Sequence, residues 1–555
     1  MSSHHTLSRR RTLALGVSAG LVLDVCSSYA ADVPPLKASV ALKGKTYDYA
    51  MRDGQDQGDF RSEIGGFVQR CVRVVRSDCP LTVYFRPDRD SERVEFVFEL
   101  GRIWNSQPAH LEAYSVTITR GSEQLAAIEV PKHYWFSRWR WQSEPRPIVG
   151  KIADLIALKL LPPYQIGGYV PSAASVPPAA TAAAPAPPAD HPKSLPGSGQ
   201  LKLPGGGTFT AKGMALGLGQ PVSVKGSDSA DPTYSIMGSA GITPHMGQTG
   251  ERAEIGIVTE YQARYIVSGA ADALAVARAQ AEAAGTLPWH IRDERTGAPV
   301  DLDAFPTMSW YPTPRANPFI GMPPTVVEIE SAHQPALAYL PYLLTGDPYH
   351  LEDLQFAANY NRGCLPPDYR FSIPQVRGYA WNTRTRAQCA KVTPVVTPRW
   401  LLPRDYWEKD LERHRIWLTE TYLKSSDTLC TVFRSVESMS NSPNTGPDAP
   451  GGCYIAPWQE DFLASVLGWV VLMGFESWRP IFMWKIGNTL ARTNGKSGWP
   501  RSRCSPYRLI LRPAAGAPTF KTWAEAWAET SRLWRWTDDD PYALTAVANE
   551  QEPNL

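Results

Sequence analysis

Apolar residues recur every three or four positions through much of the C-terminal half of the chain, as expected of amphipathic helices. Residues 250–269 begin with a charge-rich loop, continue as such a helix and stop at a glycine, and a second helical stretch follows. The same order returns at residues 331–360, with a stop at Gly346, and at residues 456–493, with a stop at Gly474. Because glycine often ends a helix, the pattern predicts three helical hairpins.

Three further helices are predicted in the same half of the chain, at residues 377–390, 405–422 and 522–536. Two long segments without a clear period, residues 286–330 and 437–457, interrupt the set. Loops of that length in a compact domain usually cover the structure or take part in function.

The N-terminal part has a different pattern, with short runs of alternating or β-branched apolar residues from about residue 40 to residue 144. The clearest runs are at residues 81–85, 93–100, 114–119 and 125–130. Turn-forming residues such as Pro87-Asp88 and Gly121 separate them. Several short strands at this spacing predict an antiparallel β-sandwich.

Residues 134–141 interleave aromatic and arginine side chains, in the order Tyr-Trp-Phe-Ser-Arg-Trp-Arg-Trp. One interpretation is an amphipathic strand with its rings in the protein interior. The other is a strip that faces a ligand or a second domain. Stacking of arginine on aromatic rings suits both interpretations.

The domain boundaries follow from composition. A short helix is predicted at residues 152–160, and from about residue 169 to residue 204 the chain is rich in alanine and proline, which is typical of a linker. We therefore predict an export signal at residues 1–30, a β-sandwich-like domain at 31–165, an Ala/Pro/Gly-rich linker at 166–235 and a helical domain at 236–555.

The N-terminus carries the pattern of an export signal. Arg9, Arg10 and Arg11 form a basic segment with a twin-arginine pattern, an apolar stretch follows at residues 13–25, and Ala30 offers a small residue for cleavage. No later stretch reaches the roughly 18 apolar residues of a membrane span. We expect a periplasmic or secreted protein without a transmembrane segment after signal cleavage.

Charge and composition limit the classes of molecule that the protein is expected to bind. The chain has 56 basic and 54 acidic residues, and beyond the N-terminus it contains no run of lysine or arginine, so we expect no nucleic-acid partner. It also has 19 tryptophans, which serve either as ordinary core residues or as surfaces on which sugar rings stack. The sequence leaves the oligomeric state open.

Seven cysteines remain after cleavage of the predicted signal. In an oxidising compartment the neighbouring pairs Cys71–Cys79, Cys364–Cys389 and Cys430–Cys453 are plausible disulfides, which would leave Cys504 free. Neither Cys-x-x-Cys nor His-Glu-x-x-His spacing occurs, so we expect no metal site and no cofactor.

The helical hairpins and their loops together resemble the (α/α) toroid of six-hairpin glycosidase-like and polysaccharide lyase-like proteins. The resemblance covers roughly residues 236–540 and rests on the hairpin spacing and on the loops Gly250-Glu-Arg-Ala-Glu, Ser331-Ala-His-Gln-Pro and Arg377-Gly-Tyr-Ala-Trp. It implies an N-terminal antiparallel β-sandwich followed by a C-terminal (α/α) toroid of helical hairpins. It also implies a glycan-binding cleft at one end of the helical barrel.

If the first helices of the hairpins are parallel, their loops gather at one end of the molecule, where free helix N–H groups favour oxygen-rich ligands. The candidate catalytic residues there are Glu251, Glu254, His333, Tyr379, Glu460 and Asp461. The candidate substrate-binding residues are Arg252, Gln334, Arg377, Trp381 and Trp458. Each has a structural alternative, because acidic residues commonly cap helices and the others are also found in protein cores.

Two chemistries fit these residues. Hydrolysis of a glycosidic bond needs a protonated carboxyl and an ionised one, which Glu251 or Glu254 opposite Glu460 or Asp461 would supply. A polysaccharide lyase instead uses a base such as Tyr379 or His333 and an arginine, Arg252 or Arg377, that neutralises the carboxylate of a uronate. We expect hydrolysis of a polysaccharide first, since carboxylates occur in two of the four loops. A glycan-binding or envelope-assembly protein without catalysis is the third hypothesis.

Overall fold

The structure is a computed structural model, and its N-terminal part is antiparallel β whereas its C-terminal part is helical, as the sequence predicts. It describes residues 35–101, 110–164, 198–202, 208–212, 234–243, 253–310, 329, 331–373, 375–425, 427–432, 454–506, 509–514 and 517–534. The predicted export signal, most of the predicted linker and parts of both long loops lie outside these residues.

Nine strands form two antiparallel sheets. The strands are β1 Leu36–Leu42, β2 Lys45–Ala50, β3 Gln55–Arg61, β4 Val68–Val75, β5 Thr82–Pro87, β6 Val94–Leu100, β7 His110–Arg120, β8 Glu123–Tyr134 and β9 Ser137–Gln142. Their orders in the two sheets are β2-β1-β7-β8 and β3-β4-β5-β6-β9. Their inward residues, for example Val40, Phe85 and Ile118, belong to one hydrophobic core that both sheets share. Alternation of apolar and polar residues therefore sets which face of each sheet is buried.

Strand β9 explains the interleaved aromatic and arginine residues. Trp139 is fully buried between the sheets and stacks on Phe98, with ring centroids 4.4 Å apart. Arg138 and Arg140 project from the opposite face of the strand onto the ring of Tyr349, at 4.1 and 4.2 Å from its centroid. The rings are thus internal, and the arginines face the helical part of the chain.

The described helices are short to medium in length and follow the predicted hairpins. They are α1 Ile152–Ala157, α2 Glu260–Ser268, α3 Ala271–Ala283, α4 Tyr339–Thr345, α5 Pro348–Gly363, α6 Val376–Val392, α7 Arg404–Leu418, α8 Pro457–Leu472, α9 Arg479–Asn494 and α10 Trp523–Trp534. Four short strands form two further antiparallel pairs. They are β10 Ser198–Lys202 with β11 Thr208–Lys212, and β12 Tyr454–Ile455 with β13 Leu509–Ile510. Whether the hairpins close into a toroid stays a prediction.

The predicted helix stops at Gly269 and Gly346 are confirmed, whereas the helix expected to stop at Gly474 ends at Leu472. Gly269 ends α2 and Gly346 ends α4 in the left-handed conformation, with φ of 68° and 66°, and each N–H closes the last turn of its helix. Gly346 also docks against the β part, because its carbonyl accepts a hydrogen bond from Ser62 Oγ at 2.9 Å. A side-chain Cβ at Gly346 would lie only 2.1 Å from that oxygen, so no larger residue fits without a shift.

Buried ion pairs join the two parts at Glu352 of α5, which is fully buried. Its Oε2 accepts from Arg86 Nη2 at 2.8 Å and from Arg138, and its Oε1 lies 2.6 Å from Arg292 Nη1. Burial alone would raise the pKa of Glu352, but the three guanidinium groups outweigh it and hold that pKa well below its ordinary value. Since a buried charge without a partner is costly, this carboxylate locks β5 and β9 onto α5.

Two of the expected disulfides are wrong. The structure has no disulfide between Cys71 and Cys79 or between Cys364 and Cys389, and all four side chains are buried. Cys71 packs in the core that includes the helices, whereas Cys79 packs between the sheets, so a sheet separates them. Cys389 Sγ lies 3.6 Å from the carbonyl oxygen of Leu354 in α5. Cys364 follows Leu354 by ten residues and so lies about 15 Å further along that helix.

The third expected disulfide falls on Cys430 and Cys453. Cys430 is a free thiol, and Cys453 lies outside the described residues. Cys504, which was expected to be free, is free.

Candidate functional site

The predicted site loops meet in part around the N-terminal end of α6. The turn at Ser331–His333 lies against this end, where an added Cβ at Gly378 would contact the Ala332 Cα at 3.2 Å. The backbone N–H of Arg377 donates to Gln459 Oε1 of α8 at 3.1 Å, and its guanidinium lies 5.2 Å from the Trp458 ring centroid. Three of the four predicted loops therefore come together.

The other residues of these loops are mostly core residues. His333 is 5% exposed and Trp381 is 3% exposed, and the Trp381 ring packs on Phe462 with centroids 5.1 Å apart. Gln334 is buried as well, and its Nε2 donates to the carbonyl of Ala357 at 2.5 Å. These side chains hold α5, α6 and α8 together, and little of their surface is open to a ligand.

The fourth loop, which leads into α2, lies further along α6. The carbonyl of Gly256 accepts from Arg384 Nη1 at 2.5 Å, and Arg384 is seven residues, or about 10 Å, beyond Arg377. Glu254 in this loop is buried and accepts from the Thr243 backbone N–H at 3.2 Å. The predicted residues Glu251 and Arg252 lie outside the described residues.

The two predicted carboxylates of α8 bind the neighbouring helix α9. Glu460 is fully buried and forms an ion pair with Lys485. Asp461 accepts from Thr489 Oγ1 at 2.6 Å and pairs with Arg492. Both carboxylates thus have structural partners that join the two helices of one hairpin.

Tyr379 faces the opposite side of α6, toward α7. Its Oη lies 3.2 Å from Nδ1 of His414, and both side chains are buried. His414 forms part of the wall of a cleft of about 420 Å³, which we call the arginine cleft. Its lining residues are Leu302, Asp303, Pro306, Arg362, Pro367, Asp368, Arg370, Phe371, Asp410, Arg413 and His414.

Four charged residues of the cleft alternate in sign around a closed ring. Arg362 contacts Asp303 and also Asp410, with its Nε 3.0 Å from Asp410 Oδ1. Arg413 Nη2 lies 2.9 Å from Asp303 Oδ1 and 3.2 Å from Asp410 Oδ1. Each arginine therefore shares both carboxylates, which fixes the positions of all four groups.

A third arginine stands behind this ring. Arg386 of α6 is 2% exposed, and its Nε lies 3.0 Å from Asp410 Oδ2. Burial alone would raise the pKa of Asp410, but Arg386 and Arg362 outweigh it and lower that pKa to about 2. Burial, and then repulsion by Arg386, lowers the pKa of His414 well below its ordinary value. At neutral pH the cleft thus holds an ionised Asp410 beside a neutral imidazole.

Arg370 differs from the other arginines of the cleft because no carboxylate of the described residues pairs with it. Its guanidinium donates to the carbonyls of Leu302, at 3.4 Å, and Met308. Burial and the nearby charge of Arg362 lower its pKa. Counting Arg386, four guanidinium groups face three carboxylates here, so the cleft has a surplus of positive charge.

Exposed aromatic rings stand beside these charges. Phe371 is 41% exposed, lines the cleft and packs against His414 with ring centroids 4.8 Å apart. Tyr369, two residues earlier, is 59% exposed. Large exposed rings next to fixed charges suit a ligand that has both an apolar face and an anionic group.

Among the predicted site residues that the structure describes, Tyr379 contacts a residue of this cleft, His414. The spacing of Asp410, Arg413 and His414 places them on one face of the predicted helix at 405–422, and that pattern could have been noticed. Asp303 lies in a long loop, and nothing in its sequence surroundings indicates that it meets α5 and α7.

Comparison with known proteins finds no family model, curated protein or solved structure that is significantly similar to this chain. Within the described part of the chain, no helix is long and apolar enough to cross a membrane. The same residues contain no cluster of histidine, cysteine and acidic side chains able to hold a metal ion. The function must therefore be inferred from the residues of the site.

Proposed function

We propose that the protein is an exported carbohydrate-active enzyme that binds an acidic polysaccharide in the arginine cleft and cleaves it by β-elimination. The observation that carries this proposal is the position of His414, which lines a cleft with a surplus of guanidinium groups and has its Nδ1 3.2 Å from Tyr379 Oη. Because burial lowers the pKa of His414, its imidazole is neutral at neutral pH. A neutral base beside fixed positive charge is what proton abstraction next to a carboxylate requires.

The roles follow from the contacts. When Nδ1–H of His414 donates to Tyr379 Oη, the lone pair of Nε2 is free to take the proton on the carbon beside the uronate carboxylate. The electron pair left on that carbon spreads onto the carboxylate, which the Arg370 guanidinium stabilises. The adjacent C–O bond then breaks, a C=C bond forms, and the imidazolium returns the proton to the leaving oxygen.

In this scheme Tyr379 is a positioning residue, because it contacts the base and not the reacting atoms. It fixes which imidazole nitrogen carries the hydrogen. The exposed rings of Phe371 and Tyr369 provide a surface on which a sugar ring stacks.

Hydrolysis by a carboxylate pair remains the alternative. It has less support from the described residues, because Glu460 and Asp461 have ion-pair partners in α9. Asp303 and Asp410 both contact Arg413, but the pKa of each is lowered below its ordinary value, so neither supplies the protonated carboxyl that a glycosidase needs.

The test is a screen of the purified mature protein on neutral and uronate-containing polysaccharides, with ultraviolet absorbance and reducing ends measured together. We expect absorbance to rise on uronate polymers only, because elimination creates a C=C bond. His414→Gln should abolish the rise, and Tyr379→Phe should lower kcat and shift its pH profile with little change in KM. His350→Gln, at a buried histidine outside the cleft, is the matched control for folding.

Other outcomes separate the alternatives. Reducing ends without absorbance, lost in Glu251→Gln or Asp461→Asn, would favour hydrolysis. Binding of the polymer without any product would favour the non-catalytic glycan-binding hypothesis. Full absorbance in a folded His414→Gln variant would refute the assigned role of this histidine.

A further inference from the structure

The loop at residues 301–308 forms one wall of the arginine cleft, and arginines from other segments hold it in place. Arg370 donates to the carbonyls of Leu302 and Met308 near the two ends of this loop. Between them, the side chain of Asp303 reaches two further guanidinium groups. The loop is therefore fastened by groups that also face the cleft.

Asp303 is held as a bound carboxylate ligand would be. It pairs with Arg362 of α5, and both of its oxygens accept from Arg413 Nη2 of α7, at 2.9 and 3.0 Å. Two guanidinium groups around one carboxylate form a strong and geometrically specific binding site for that group. A loop side chain of this chain therefore occupies the pair of cations in the cleft.

Asp410 binds the same two arginines but lies in a different environment. It is 1% exposed and has the additional partner Arg386, so it belongs to the interior. The side chain of Asp303 is 33% exposed and comes from a loop. If Asp303 left, Arg362 and Arg413 would each keep Asp410 as a partner, so its departure strands no buried charge.

We propose that Asp303 is a specificity-determining residue whose carboxylate occupies Arg362 and Arg413 until the anionic group of a ligand displaces it. The exchange breaks no covalent bond and replaces one carboxylate by another. A neutral ligand gains nothing from these arginines, because it cannot compete with Asp303. The nature of the ligand, a uronate polymer with a second carboxylate besides the one that meets Arg370, rests on the proposed function, whereas the exchange itself rests on the contacts described.

The test is calorimetric titration of the full mature chain with sodium glucuronate and, separately, with glucose. Asp303→Asn removes the competing charge, and we expect glucuronate to bind about three- to tenfold more tightly than to the native chain. The matched control is Asp368→Asn, which removes another carboxylate of the same cleft that has no ion pair among the described residues. This control should change the affinity less than twofold, and glucose should not distinguish the variants.

Arg413→Gln provides a second variant, which removes half of the cation pair. It should weaken glucuronate binding, and Asp303→Asn should then give no gain when combined with it. Equal affinity of the native and Asp303→Asn chains would overturn the inference, and so would the absence of glucuronate binding in both. Tighter binding of glucuronate by Asp303→Asn, together with no rise in absorbance on any uronate polymer in the screen, would support the exchange and overturn the proposed reaction, so the two failures are distinguishable.

Discussion

Glu352→Gln is the substitution that tests most directly how the β part and the helical part are held together. Oε1 of Glu352 faces Arg292, and Oε2 faces Arg86 and Arg138. A glutamine has one oxygen and one NH₂ group, so either orientation places N–H bonds against at least one guanidinium. The substitution removes the central charge of the network and adds a repulsive contact.

The expected loss is large because all three arginines stay buried. Each keeps another carboxylate, such as Glu99 for Arg292 and Asp353 for Arg138, so the loss does not scale with the number of pairs. Breaking one buried ion pair by removing a partner costs about 3–5 kcal/mol, and we expect Glu352→Gln to lower the free energy of unfolding by about that amount. The network would then be a main determinant of stability.

The assay is chemical denaturation of the native and variant proteins, followed by tryptophan fluorescence. Glu420→Gln is the matched control, because Glu420 pairs with Lys424 on the surface, where both side chains are more than half exposed. Its unfolding midpoint should equal that of the native chain. An unchanged midpoint in Glu352→Gln would refute the reasoning, since it would mean that the arginines do not depend on this carboxylate.

The pH dependence gives an independent check. The folded-state pKa of Glu352 lies below its unfolded-state value of about 4.3. Its contribution is therefore fully present above that unfolded-state value and is lost as the pH falls toward the folded-state pKa. The native chain should lose more stability than Glu352→Gln when the pH is lowered from 6 to 3.

Three further predictions concern other parts of the molecule. Gly346→Ala should lower the free energy of unfolding by more than the roughly 1 kcal/mol expected of Gly269→Ala, because both glycines have positive φ but only Gly346 lies against Ser62. Denaturant titration of both variants measures the difference, and equal losses would contradict the contact between Gly346 and Ser62. Because the pKa of His414 is depressed in the folded chain, the unfolded chain binds a proton at this histidine at a higher pH than the folded chain does. The stability of the native protein should therefore fall as the pH drops below about 6.5. Thermal midpoints measured from pH 8 to 5 should show a smaller fall in His414→Gln. Peptide mapping without reduction should show no link between Cys71 and Cys79 or between Cys364 and Cys389, and a recovered linked peptide would contradict the packing of these thiols.

Much of the local structure could be predicted because its causes are local. The stop at Gly346 depends on the left-handed conformation that glycine adopts without strain. The alternation of arginine and tryptophan in β9 predicts a two-faced strand, since successive side chains point to opposite sides. The candidate site was less predictable, since Glu460 and Asp461 occur where helix caps, catalytic carboxylates and ion-pair partners look alike in sequence.

The sequence by itself thus determined the order of the β and helical parts and the positions of their turns. Only the tertiary structure decided which charges meet. Arg86 and Glu352 are separated by 266 positions, and Asp303 and Arg413 by 110. No local pattern encodes such pairs, because the energy of an ion pair depends on distance and burial, and both are set by how the sheets and helices pack.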